Sequence, residues 1–159
     1  MARIERKFLA HYINTAEAGQ AAVYERLGKD LEEYSPELHA NVEKKTNILG
    51  NQTVTVYGYN KVAKVDTYYA EPGTALFTRL QNILDNRLVL DNLKTDVIEV
   101  KLWEAPTGGK YPAVRERGVI EVLGYGGDST GYQIAFTIHF TGEVTKGSFS
   151  VTEKTFTSS

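Results

Sequence analysis

Cysteine is absent from the 159 residues of this chain. That excludes disulfides and thiolate metal sites, and it fits a reducing compartment. No apolar run approaches the ~18 residues that a membrane span needs. The charged start, Met1–Phe8, has no apolar stretch behind it, so no secretory signal is expected. Without one, the sequon-like Asn51-Gln-Thr53 carries no meaning. Neither charge sign dominates: 18 basic side chains meet 20 acidic ones, for a net charge of −2. The basic clusters Arg3/Arg6/Lys7, Lys44/Lys45 and Arg115/Arg117 have Glu5, Glu43 and Glu116 beside them. They read as solvated faces rather than as a phosphate-binding patch.

Catalytic signatures are equally scarce. The three histidines, His11, His39 and His139, stand far apart, and no pair has metal-ligand spacing. Gly124–Gly131 is glycine-rich but lacks the lysine and following helix that phosphate cradling requires. The stretch Thr107-Gly-Gly-Lys110 fails the same test. Acid pairs such as Glu32/Glu33 lie in polar stretches with nothing to push their pKa values apart. No elbow motif surrounds a serine. These absences argue against an enzyme and leave no cofactor and no metal to place.

What is present is β pattern. Ile134, Phe136, Ile138 and Phe140 alternate with Ala135, Thr137, His139 and Thr141, the period of a half-buried strand. Strands are also expected over 8–15, 63–69, 96–104, 112–125 and 148–157. Turns are expected at Gly126-Gly-Asp128 and at Lys146-Gly147. The β-rich run Thr53–Tyr57 follows a turn at Gly50-Asn51, which makes 38–57 a long hairpin. Leu76, Phe77, Leu80, Ile83 and Leu84 make one apolar stripe on a three-turn helix, with Thr74 placed as its N-cap. Ala16–Tyr34 supports two readings, a helix or a short strand over 22–27 ending at Gly28. The ten tyrosines and six phenylalanines suit cores and cross-strand pairs. The expectation is a single mainly β (α+β) domain over 1–159, an antiparallel β-sandwich or split barrel with one flanking α-helix.

Seven segments, in this order, carry a resemblance to a known family. They are Met1–Ile13, Tyr24–Tyr34, Val42–Gly50, Leu90–Val97, Tyr125-Gly-Gly-Asp-Ser-Thr-Gly-Tyr-Gln-Ile134, Thr141–Phe149 and Lys154–Thr157. Together they make the chain similar, nearly end to end, to the major tail tube protein of long-tailed (siphovirus-type) bacteriophages of Gram-positive bacteria. The resemblance implies a structural virion protein, made in the host cytoplasm, whose subunits close into hexameric rings. Those rings would stack into a tube that conducts DNA during ejection without binding it specifically. The implied partners are further copies of the chain, a tape measure protein, a tail terminator and distal tail proteins, with no membrane. The near-neutral balance suits a conduit, because a basic lumen would hold DNA through its phosphates.

Two sets of residues follow as candidates. The polar row Thr137, His139 and Thr141, with Ser148, Ser150 and Thr152 beside it, is expected to face lumen or solvent. If that face were buried at an interface, His139 would make assembly pH-sensitive. The hairpin turn Asn47, Ile48, Leu49, Gly50, Asn51, Gln52 and Thr53 is expected to reach toward the next ring. So is the charged N-terminal segment 1–8, with Arg3, Ile4 and Arg6. A rival reading is a monomeric carbohydrate- or ligand-binding β-sandwich that uses Tyr57, Tyr59, Tyr68 and Tyr69. Particle size separates the two.

Overall fold

In the computed structural model, which describes residues 2–159, the chain is mostly strand. A 3₁₀ turn (Arg6–Phe8) leads into β1 (Leu9–Asn14) and β2 (Tyr24–Arg26). The hairpin strands β3 (Ala40–Thr46) and β4 (Gln52–Tyr59) come next, followed by β5 (Val62–Tyr69). Helix α1 (Ala75–Asn86) and a second 3₁₀ turn (Leu90–Leu93) precede β6 (Lys94–Lys101). The long strands β7 (Tyr111–Asp128) and β8 (Gly131–Ser150) and the short β9 (Thr155–Ser158) complete the chain. The large sheet is antiparallel and nearly closed, in the order β2-β1-β6-β7-β8-β5, with β9 also pairing to β8. This is the β-sandwich or split barrel with one helix that the alternation and the apolar stripe lead one to expect.

Two cores lie on opposite faces of the sheet. On one face α1 buries Leu76, Leu80, Ile83 and Leu84 against Ile13, Val97, Ile120, Ile134, Phe136 and Ile138. Each such helix side chain is worth ~1.5–3 kcal/mol relative to exposure, enough to dock a three-turn helix that would be marginal alone. The helix is also fastened by Arg79, which is buried and donates to the carbonyls of Asn14 at 3.0 Å and Lys94 at 2.5 Å. Thr74 precedes the helix as expected, but its hydroxyl donates to the Glu71 carbonyl at 2.9 Å instead of capping the first turn. On the other face the sheet curls until Tyr12 and Tyr24 meet Phe149, with ring centroids 4.5 and 6.0 Å apart. Ala10, Ile98, Val100 and Ala113 fill that second core.

Three local expectations need correcting. The strand expected over 148–157 is broken by a turn at 151–154 between β8 and β9. Of the two readings for residues 16–34 the structure takes the strand, at Tyr24–Arg26 within the expected 22–27, and holds no helix. Tyr24 is held there by its hydroxyl on Asp96, at 2.5 Å. Gly126-Gly-Asp128 is not a turn: β7 runs through it, and the reversal falls at Ser129-Thr130. Lys146-Gly147 is not a turn either, because β8 continues to Ser150. Gly147 is glycine for another reason: a Cβ there would collide with the Thr157 carbonyl of β9. The bend in this part of the ribbon comes instead from a bulge. There β8 places Thr141, Gly142 and Glu143 opposite the single residue Arg117, with Gly142 at φ 93°.

Candidate assembly surfaces

The β3–β4 hairpin is the one large element that stays out of both cores. Its strands pair only with each other among the described residues, as a separate two-stranded sheet. None of its strand residues is buried. Seven residues at ~3.3 Å each carry the tip roughly 20 Å from the root. The register sets Val42 opposite Val56, Lys44 opposite Val54 and Thr46 opposite Gln52. Directly opposed residues share a face, so three valines line one side of the ribbon. Glu43, Lys45, Thr53 and Thr55 take the other side. There Glu43 pairs with Lys45 at 3.1 Å. A hydrogen bond from Tyr57, with help from Lys45, holds the Glu43 carboxyl below its ordinary range.

The tip is ordered by Asn47. Its side-chain oxygen accepts from the amides of Leu49 at 2.9 Å and Asn51 at 3.0 Å. The Gly50 amide donates to the Asn47 carbonyl at 3.0 Å, with Gly50 at φ 85°. This Asx-type turn pushes Ile48 and Leu49 into solvent, at 102% and 80% exposure. Gln52 and Thr53 begin β4 and are exposed too. All seven turn candidates therefore sit together at the end of a projecting arm.

The N-terminal candidates divide. Met1 lies outside the described residues. Arg3 and Ile4 are exposed. Arg6 is committed to its own chain, donating to Leu9 O at 2.6 Å and to Tyr34 O at 2.8 Å. An Arg6 so engaged cannot serve as a freely reaching contact, and the reason is that the 3₁₀ turn folds its guanidinium back over the sheet.

The polar row does not survive as one surface. Thr137 is buried, 3% exposed, between Lys64 and Glu121 on the neighbouring strands. His139 is exposed and meets Glu121 at 2.6 Å. Thr141 is exposed at the bulge, and its hydroxyl lies 3.3 Å from the Arg117 carbonyl. Ser148 does not stand beside these residues. It lies nine residues further along the same strand, past the bulge, half-buried and paired with Thr157 of β9. Ser150 is buried and accepts from the Glu153 amide at 3.2 Å, and Thr152 sits in the turn after β8. Alternation assigns a side chain to a face but is silent on whether another strand covers that face. It could not foresee that Thr137 and Ser150 would be enclosed.

Sequence reasoning missed two features. An apolar hollow of about 510 Å³ lies between the end of α1 and the outer part of β7, lined by Leu84, Leu88, Val89, Leu93, Leu123 and Tyr125. A second hollow, about 440 Å³, lies beside residues 27–34 and is walled by Arg6, Arg26, His11 and Tyr34. Burial, with Arg6, Lys61 and Arg26 nearby, pulls the His11 pKa down to about 3. Burial also raises the Tyr34 hydroxyl above its ordinary range. The one signal for this buried pair was His11 itself, which shares the phase of Leu9 and Ile13 on β1. Among the described residues no group of three or more His, Asp or Glu is arranged to hold a metal ion. No helix among them is long and apolar enough to cross a membrane. No protein-family model matches the chain, and no curated protein matches it.

Proposed function

We propose that this chain is a structural subunit that is completed by copies of itself, stacking as rings into a tube of the phage-tail kind. The observation that carries the reading is the β3–β4 hairpin. A two-stranded ribbon is marginal in water by itself, yet this one projects with three valines on one face and Ile48 and Leu49 at its tip. Such a face calls for a partner. A projecting arm that meets a different surface on the next copy makes a head-to-tail contact, and a head-to-tail contact that does not close propagates as a filament. Among the described residues the outer part of β7, residues 120–128, pairs on one side only and offers a further edge for a neighbour within a ring. The mixed surface charge, with Glu121 beside His139, suits passage of DNA without retention.

Sedimentation and negative-stain electron microscopy over a concentration series test the reading. Rings or hollow tubes are the expected result. A compact single particle at every concentration, alone and with tail partner proteins, would overturn it. Such a particle that bound a sugar through Tyr57 and Tyr59, both 61% exposed, would favour the ligand-binding module instead.

A further inference from the structure

Residues 27–37 cross the sheet as a strap without a helix or a full strand, from the end of β2 to the root of the hairpin. Leu27, Leu31 and Tyr34 point inward from it into the helix-side core. Its polar fastenings to the rest of the chain are one exposed ion pair, Lys29 Nζ to Glu71 at 2.9 Å, and a handful of bonds to backbone carbonyls. The Leu27 amide donates to His11 O at 2.8 Å, and the Tyr69 amide donates to Asp30 O at 3.2 Å. Arg6 donates to Tyr34 O at 2.8 Å. At the far end Glu37 and Val62 exchange two backbone bonds, of 2.8 and 2.9 Å.

Beneath the strap two buried polar atoms have no hydrogen-bond partner among the described residues: the Tyr34 hydroxyl and His11 Nε2. Their rings lie 4.5 Å apart. Groups of this kind make the closed arrangement costlier than the rest of the core, and contact with water on opening restores what they lack. The hairpin that the assembly reading relies on hangs from this strap, and so does the N-terminal segment that the sequence offered as a second contact. The N-terminal segment is tied to it by Arg6, and to β2 by Arg26, which donates to Lys7 O at 2.6 Å; the hairpin root is tied to it by the Glu37–Val62 bridge.

We propose that residues 27–37 are a latch. It holds the N-terminal segment and the hairpin root in the arrangement of the single subunit, and it opens ahead of the rest of the fold so that both can engage a second copy of this chain. The inference rests on the assembly reading for its purpose. It rests on the buried pair and the sparse fastenings for its mechanism. Sub-global opening of a weakly fastened segment is ordinary behaviour for folded domains.

The test uses the absence of native cysteine. Glu37→Cys with Val62→Cys places two thiols at a mutually hydrogen-bonded antiparallel pair, whose Cα separation of ~5.5 Å is within disulfide range. The oxidised variant should assemble at least tenfold more slowly than the same variant reduced, and the reduced form should match the unmodified chain. Equal rates for the oxidised and reduced forms would overturn the latch and leave the assembly reading intact. Failure of the unmodified chain to assemble would sink that reading, and hydrogen exchange on the single subunit would then decide the latch. The amides of Leu27 and Glu37 should exchange at least tenfold faster than those of the β1–β6 ladder, and Tyr34→Phe should narrow the gap. Exchange of the strap only through global unfolding, or a loss of stability in Tyr34→Phe, would overturn the latch.

Discussion

The β3–β4 hairpin and the β7–β8 ribbon are both antiparallel pairs rich in β-branched residues, and their fates differ. On β8, Ile134, Phe136 and Ile138 are 0% exposed, while on β4, Val54 and Val56 are 57% and 49% exposed. The ribbon is flanked by β5 and β6 and roofed by α1. Among the described residues no further strand pairs with the hairpin on either side. A valine's preference for an extended backbone is the same in both places. What differs is whether a second layer arrives to take its side chain out of water. The ribbon is thus the source of folding stability, and the hairpin is the exposed surface that the proposed assembly would cover.

This contrast can be broken most sharply at Phe136. Phe136→Ala should cost about 3–5 kcal/mol by opening a cavity at a fully buried site. Chemical denaturation would read the loss, and a cost below ~1 kcal/mol would mean the ribbon is not the stabilising half. A second large effect is expected on acidification. The folded pKa of His11 is about 3, against an ordinary 6.5. Between those values the unfolded chain takes up a proton that the folded one refuses. The contribution of His11 is therefore complete above about pH 6.5 and falls as pH drops toward 3, by at most ~1.4 kcal/mol per unit. Denaturation midpoints at pH 7, 5.5 and 4 would show the slope, and His11→Phe should flatten it. An unchanged slope in the variant would assign the acid sensitivity to other groups.

Smaller again is Arg79→Leu. It removes the guanidinium donor from the Lys94 carbonyl and from the Asn14 carbonyl, which keeps the Thr95 hydroxyl at 2.8 Å, and should cost about 1–3 kcal/mol, visible as a lower Tm. The smallest stability effect is expected in the hairpin. Ile48→Ser with Leu49→Ser should shift stability by no more than ~0.5 kcal/mol and yet reduce assembly measured by light scattering. A variant that assembled normally would remove the tip from the interface. A variant that unfolded would remove the distinction between the two regions.

Much of the architecture was legible because it depends on short-range periodicity. The alternation from Ile134 to Thr141 marks β8, the Leu76–Leu84 stripe marks α1, and Gly50 between two β-rich runs marks the hairpin tip. Residues 16–34 were legible only as a choice between helix and short strand, which the structure resolves as strand at Tyr24–Arg26. Val23, Leu27 and Leu31 fit a helical face, but Leu27 and Tyr34 are claimed by the core beneath the strap, and tertiary demand overrides weak local preference. The Lys146-Gly147 dipeptide looked like a turn because glycine commonly marks one. Here it marks the close approach of β9, which no local pattern announces. The candidate polar row fell for a related reason: Thr137 and Ser150 have the right phase, but neighbours supplied by the rest of the fold enclose them.

The sequence by itself determined the class of fold, the helix and the projecting turn, since each follows from the spacing of apolar residues and from glycine within a dozen positions. Only the tertiary structure decided which faces are covered, where the long strands bend, and that His11 meets Tyr34 beneath the strap. Those outcomes depend on contacts between residues far apart in the chain, whose free energy comes from excluding water jointly and leaves no trace in local order.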